Sequence, residues 1–279
     1  MNNKPIGVFD SGLGGLTVVR ELNKVLPKEN IIYFGDTGRV PYGTRSTQTI
    51  QKYAQQDIHF LTNMDVKMVI AACGTVSSVA PGVVDALELP STGVVLPAAR
   101  AAAMQTKNGK IGVIGTSATI ESHAFEKEIH RLNPAAKVYG QACPLFVQLV
   151  ENGWIEPGDE VTTLVAQRYL SPLVKQGVDT LILGCTHFPI LAPIIAKVMG
   201  EDVTLIDTGR ESAHFALELL LREDLLNTDI GASGRTQFFV SDRVQGFSRL
   251  AGIFLGKDVN ADVSHVDVSC LNEKEVTAC

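Results

Sequence analysis

The chain has 279 residues, 45% hydrophobic and 19% charged, with a net charge of -6 at pH 7 and a pI of about 5.5. That is ordinary globular composition with length for two cores, and an acidic chain with no basic stretch disfavours nucleic acid as a partner. The apolar runs are strand-sized, so no membrane span is expected, and the N-terminus lacks a signal-peptide core. In chain order, short apolar runs predict strands at Ile6–Phe9, Ile31–Phe34, Lys67–Ala72, Ser91–Leu96, Lys110–Ile114, Lys137–Gly140, Asp179–Leu183, Val203–Ile206 and Gln237–Val240. Amphipathic patterns between them predict helices at Leu16–Val25, Thr47–Asn63, Ile120–Leu132, Val161–Gln176, Pro189–Met199, Glu211–Leu221 and Arg243–Leu255. The tail from about Leu271 reads as frayed and solvated.

Alternation of strand and helix implies an α/β fold with doubly wound parallel sheets. Runs such as Ile6-Gly7-Val8-Phe9 are too continuously apolar to have a wet face, as in a sheet covered on both sides. Ile6-Gly7-Val8-Phe9-Asp10-Ser11-Gly12 is echoed by Ile111-Gly112-Val113-Ile114-Gly115-Thr116-Ser117, an offset of 105 from position 6 to 111. Two domains of similar plan are therefore expected. Residues 1–97 with 208–279 form the first, and residues 98–207 form the second.

Cys73 ends Met68-Val69-Ile70-Ala71-Ala72 and precedes Gly74-Thr75; Cys185 ends Leu181-Ile182-Leu183-Gly184 and precedes Thr186-His187. Each reads as strand, cysteine, threonine-bearing loop, then helix. Ligands of parallel sheets bind outside the carboxyl ends of the strands, so both thiols should emerge at a binding edge. Two thiols facing one ligand can remove a proton and supply another. The five cysteines are scattered, without Cys-x-x-Cys or metal-ligand spacing, which argues against a disulfide framework and for a cytoplasmic setting. A lone strand-end cysteine is more often a small buried hydrophobe, the reading kept for Cys143 and Cys270.

Asp10-Ser11-Gly12-Leu13-Gly14-Gly15 follows the first strand and opens a helix. A dinucleotide loop is the competitor, with Asp36 placed as a ribose-binding acid. Its third glycine should fall where Thr17 stands, and Asp10 would repel a pyrophosphate. A small zwitterion suits the loop better, with Asp10 for an ammonium and Ser11 with backbone N–H groups for a carboxylate; Asp10 is also a candidate helix cap. Asp10 near Cys73 and His187 near Cys185 are candidate proton partners. Glu151 ends a short helical pattern, where a solvated acid is the default.

In these residues the chain resembles the aspartate/glutamate racemase superfamily, and within it the glutamate racemases. The motifs are Gly7-Val8-Phe9-Asp10-Ser11-Gly12-Leu13-Gly14-Gly15-Leu16-Thr17, Pro41-Tyr42-Gly43, Ala72-Cys73-Gly74-Thr75, Gly112-Val113-Ile114-Gly115-Thr116 and Leu183-Gly184-Cys185-Thr186-His187-Phe188-Pro189. They run in order over nearly the whole chain, weakening after about position 255. The resemblance implies an active site in the cleft between the two domains, no cofactor, and interconversion of L- and D-glutamate for bacterial peptidoglycan. It implies proton transfer by Cys73 and Cys185, supported by Asp10 and His187; Glu151 is kept as a candidate supporting carboxylate beside His187. The resemblance places substrate contacts at Ser11, Tyr42, Gly43, Thr75, Thr119 and Thr186, with Thr116 nearby and Pro41-Tyr42-Gly43 as a wall over the ligand; Gly74, beside Cys73, is kept as a candidate binding position of this chain. The implied partner is glutamate itself, with neither nucleic acid nor membrane; a homodimer is the expected assembly.

The family usually has asparagine directly after the first cysteine, where this chain has Gly74. One lost hydrogen bond to a charged ligand weakens binding by about 1.5–3 kcal/mol if nothing replaces it; Ser77 and Ser78 are the nearby candidates. Two rivals therefore stand: a racemase of aspartate or another small acid, and a nucleotide- or acid-binding protein with structural cysteines.

Overall fold

The computed structural model describes residues 3–229, 231–242, 244–245, 247–256 and 263–272. The first half runs β1 (Ile6–Asp10), α1 (Leu16–Val25), β2 (Ile31–Gly35), a 3-10 turn (Tyr42–Thr44), α2 (Thr47–Asn63), β3 (Met68–Ala71), α3 (Gly74–Val79), α4 (Pro81–Asp85) and β4 (Ser91–Gly93). Then come α5 (Val95–Gln105), β5 (Lys110–Gly115), α6 (Ser117–Glu121), α7 (Ala124–Leu132), β6 (Lys137–Ala142), α8 (Leu145–Glu151), α9 (Glu160–Gln176) and β7 (Thr180–Leu183). A 3-10 turn (Phe188–Leu191), α10 (Ala192–Met199), β8 (Thr204–Asp207), α11 (Thr208–Arg222), β9 (Thr236–Val240), α12 (Phe247–Leu255), β10 (Val263–His265) and a 3-10 turn (Val268–Asn272) complete it. Of the expected helix Arg243–Leu255, Arg243 and Gly246 lie outside the described residues, as does the expected frayed tail from position 273 onward.

Two sheets result, one ordered β10-β9-β2-β1-β3-β4 and the other β6-β5-β7-β8, and every pairing is parallel. Strands β2-β1-β3-β4 and β6-β5-β7-β8 follow the same order four strands apart, so the weak internal repeat is a repeat of topology. Strands β9 and β10 extend only the first copy. We call each sheet with its helices a lobe.

Boundaries follow local chemistry. Ser46 caps α2 by accepting from the Thr49 N–H at 3.2 Å; Asp207 caps α11 by accepting from Gly209 N–H at 2.8 Å. Gly177, at φ 68, ends α9 in the left-handed conformation. Strand β4 stops at Gly93 rather than the expected Leu96, because Ser77 Oγ takes the Val94 N–H at 3.1 Å and α5 starts next. The expected division at 97/98 thus falls inside α5. The expected helix Ile120–Leu132 is two helices, broken at His123 with φ 56. The helix expected at Pro189–Met199 opens as a 3-10 turn.

The core is not two separate cores. One apolar cluster runs from Ile6, Val8 and Ile70 of the first sheet to Ile114, Leu181 and Leu183 of the second, through α1 packed on α11. Two further clusters fill the remaining faces, one under α2 and α3, the other under α5 and α7. Among the described residues no helix is long and apolar enough to cross a membrane.

Candidate active site

Strand β3 ends at Ala71 and Cys73 stands two residues on; β7 ends at Leu183 and Cys185 stands two residues on. Equivalent strands of the two lobes therefore deliver both thiols, and both are buried and free. After Cys73 there is no intervening loop: it is the N-cap residue of α3. After Cys185 the chain makes a turn through Thr186 and His187 into the 3-10 turn.

The lobes meet here. A Cβ on Gly74 would stand 2.3 Å from the Gly184 carbonyl oxygen and 3.7 Å from Cys185 Cα. Thr75 Oγ1 lies 3.1 Å from Thr116 Oγ1, which lies 3.0 Å from Thr119 Oγ1. Thr17 Oγ1 donates to the Thr186 carbonyl at 3.1 Å. Thr17, the residue that spoils the dinucleotide motif, is therefore an interlobe tie that sequence reasoning missed.

On the first lobe, the Cys73 thiol donates to Ser11 Oγ at 3.5 Å. Asp10, 1% exposed, accepts from the Gly12 N–H through Oδ2 at 3.0 Å. It does not cap α1, whose N-cap residue is Gly15; it folds the glycine loop instead. Its Oδ1 has no hydrogen-bond partner among the described residues. Burial raises the Asp10 carboxyl, opposed by the charge of His187 and by loop N–H groups. Burial, reinforced by Asp10, pushes the Cys73 thiol up to about 12, against hydrogen bonds from Ser11 and the Val76 N–H.

On the second lobe, His187 Nδ1 lies 3.8 Å from Cys185 Sγ and 3.3 Å from Thr186 Oγ1. Its Nε2 faces Glu151 Oε1 at 3.0 Å. Burial pulls the His187 imidazole down, but hydrogen bonds to Cys185 and Glu151 and their charges overcome it and lift the group to about 10. The two sides are thus unlike: Cys73 is held as a thiol beside an acid, while Cys185 faces a histidine that retains its proton. Cys143 lies close enough to Cys185 that a thiolate there raises its own thiol, on top of burial.

The structure gathers Asp10, Ser11, Gly43, Cys73, Gly74, Thr75, Thr116, Thr119, Cys185, Thr186, His187 and Glu151 around this seam. The Tyr42 hydroxyl is elsewhere. It donates to Asp36 and, at 3.0 Å, to Asp57 Oδ2, so any wall over a ligand is made by the ring and main chain of the turn. Asp36 also accepts from Arg39 at 2.6 Å and from Ser241 at 2.7 Å. Fully buried, it cannot meet a ribose. Of the two serines that might replace an asparagine at position 74, Ser77 is spent between the Ala71 carbonyl and the Val94 N–H. Ser78 Oγ is unpartnered among the described residues and borders a cavity of about 450 Å³ shared with Leu96, Lys127 and Arg131, away from the thiols.

A duplicated parallel α/β fold that brings one thiol from each copy to a shared, buried seam defines a two-thiol α/β protein. Residues 6–216 match the profile of the Asp/Glu/Hydantoin racemase family. A glutamate racemase of Geobacter metallireducens is 46% identical over 273 residues, 98% of this chain and 99% of that protein. The structure of a glutamate racemase isoform from Bacillus anthracis superposes with a TM-score of 0.90 at 39% identity, covering 96% of this chain and 99% of that one. A glutamate racemase of Francisella tularensis in complex with D-glutamate gives a TM-score of 0.88 at 39% identity, covering 98% and 99%. The chain belongs to the Asp/Glu/Hydantoin racemase family, and within it to the glutamate racemases.

Proposed function

We propose that the protein interconverts L- and D-glutamate by moving protons between Cα and two opposed cysteines. The observation that carries this is the contact of the Cys73–Gly74 segment with the Gly184–Cys185 segment, with the Asp10 charge acting on one thiol and His187 3.8 Å from the other. A thiolate takes the α-hydrogen from one face and becomes a thiol. The opposite thiol gives its proton to the other face and becomes a thiolate. The configuration inverts without the substrate turning over, and the reverse reaction exchanges the roles.

An α-hydrogen beside a carboxylate is weakly acidic, so charge building on that carboxylate needs donors. Ser11, Thr75 and Thr186 and nearby N–H groups supply them. Asp10 is the partner for Cys73 and for the substrate ammonium. His187, steadied by Glu151, is the partner for Cys185. Gly43, Thr116 and Thr119 complete the wall. No step requires a cofactor. We assign residues 1–97 with 208–279 to the Cys73 half-site and 98–207 to the Cys185 half-site, and place the enzyme in the bacterial cytoplasm, supplying D-glutamate for peptidoglycan.

The test is incubation with L-glutamate in deuterium oxide, after dialysis against chelator, followed by chiral analysis and NMR. D-glutamate carrying deuterium at Cα is expected. Inversion that appears only with added metal or pyridoxal phosphate would refute it, as would inversion of aspartate but not glutamate in a parallel panel.

A further inference from the structure

Three glycines of the first lobe lie against residues of the second that flank its chemistry. A Cβ on Gly14 would stand 2.2 Å from Thr186 Oγ1 and 2.6 Å from His187 Cε1; one on Gly43 would stand 3.2 Å from Thr116 Cβ. Gly74 is the tightest in kind, because the atom 2.3 Å from its Cβ position is main-chain oxygen of Gly184. A rotating side chain can move out of the way, but a carbonyl between β7 and Cys185 cannot. The preceding peptide is anchored to the sheet, since the Gly184 N–H donates to the Ile114 carbonyl at 2.7 Å. With the lobes so placed, Cys73 is 4% and Cys185 7% exposed.

We propose that Gly74 is a positioning residue: lacking a side chain, it lets the start of α3 seat directly on the Gly184–Cys185 peptide, which closes the lobes and sets the distance between the two thiols. Gly14 and Gly43 extend the same seam. This accounts for glycine where the resembling family carries asparagine: here the space a side chain needs is filled by the opposite lobe. Its catalytic consequence rests on the racemase reading, but its structural content does not. Any side chain at 74 wedges the seam, raises the open population and exposes both thiols. A misplacement of about 1 Å at a reacting centre costs about 100-fold in rate.

The structural test is alkylation of the intact protein by a small thiol reagent, with Cys73, Cys185 and Cys143 followed separately by peptide mass spectrometry. Cys143 is 0% exposed and is not among the atoms the three glycines meet, so its modification reports loss of fold. Gly74→Ala should raise modification of Cys73 and Cys185 at least tenfold and leave Cys143 protected. Gly82→Ala, whose Cβ meets nothing within 4 Å, should match the parent. Wild-type reactivity of both thiols in Gly74→Ala overturns the proposal. If that variant does not fold, Gly43→Ala carries the test, with a rise of about threefold expected and no change overturning it.

The catalytic arm compares glutamate racemisation with elimination from a glutamate analogue bearing chloride at Cβ. In the elimination one cysteine takes the α-hydrogen, the C–Cl bond breaks and chloride leaves. Gly74→Ala should lose about 100-fold in racemisation kcat and less than about tenfold in elimination. Equal losses overturn the positioning role. A parent enzyme that never racemises glutamate refutes the function and leaves the alkylation result to judge the seam.

Discussion

Thr75 Oγ1 and Thr116 Oγ1 lie 3.1 Å apart, joining the residues that follow β3 of one lobe and β5 of the other. Thr116 is also the N-cap of α6, accepting from the Thr119 N–H at 3.3 Å. One hydroxyl therefore ends a strand, starts a helix and ties the lobes.

Thr116→Ala should lower stability by about 1 kcal/mol, the usual value of an N-cap, while Thr75→Val should leave stability near the parent and raise KM for glutamate about tenfold. Thr75→Ser should restore KM. Denaturant unfolding and steady-state kinetics check the pair. A Thr75→Val enzyme with parental KM would remove this hydroxyl from substrate binding.

Asp36, Asp57, Arg39 and Tyr42 form a buried network beneath the Tyr42–Thr44 turn that carries Gly43. Burial, and next the charge of Asp36, raises the Asp57 carboxyl well above its ordinary value, against Arg39 and the Tyr42 hydrogen bond. A neutral Asp57 leaves one carboxylate for one guanidinium. Asp57→Asn, close in shape to the neutral acid, should therefore match the parent to within about 1 kcal/mol below about pH 3.8, where the folded and unfolded parent both carry the proton. Asp36→Asn should cost about 3–5 kcal/mol, the cost of breaking a buried ion pair. The sign also follows. A raised carboxyl stabilises the fold below about pH 3.8 and loses that contribution as pH rises, so the asparagine variant should gain on the parent as pH climbs. Urea melts at several pH values decide; equal losses at the two positions would contradict the assignment.

The sheets were legible because their strands are buried on both faces and read as unbroken apolar runs, as in Ile6-Gly7-Val8-Phe9. The matched thiols were legible because a strand end is a local pattern, and the topological repeat sets them after equivalent strands. Features set by contacts between distant residues were not. The apolar cluster shared by the lobes joins residues more than a hundred positions apart. The Tyr42 hydroxyl faces away from the site because Asp57, on α2, draws it down. Strand β10 has three residues, too few to show alternation. Gly74 stood out only as a missing anchor. The crowding that requires a glycine there comes from Gly184, on the other sheet.

His187 carries its proton because Cys185 and Glu151 outweigh burial. A folded-state value near 10 against an unfolded one of about 6.5 contributes stability that is complete below about pH 6.5 and is lost as pH rises through about 10. Glu151→Gln should therefore be less stable than the parent at pH 6 and indistinguishable from it above pH 10. The gap should stay below about 1 kcal/mol, because the Glu151 side chain is 43% exposed and screened by solvent. Racemisation should fall about tenfold, mainly in kcat, as the imidazole loses its orientation. A stability gap that widens with pH would reverse the assigned charge.

Cys73→Ser and Cys185→Ser should each abolish most racemisation, because inversion needs a base on one face and an acid on the other. Elimination from an analogue with chloride at Cβ needs only one base, so each variant should keep it toward one enantiomer, and the two should choose opposite ones. Following the resemblance, Cys73 serves the D enantiomer and Cys185 the L. The base that survives in Cys185→Ser should also show a marked pH response. In Cys185→Ser the base is Cys73, which burial and Asp10 push up to about 12. Its thiolate fraction, and with it elimination from the D analogue, should climb about tenfold per pH unit from 7 to 9. In Cys73→Ser the base is Cys185, with His187, which holds its proton up to about 10, beside it. Product assays with both analogue enantiomers across that range test the two claims together. A shared enantiomer preference would mean one base and a mobile substrate, and a flat profile in Cys185→Ser would mean that Cys73 is already a thiolate at pH 7.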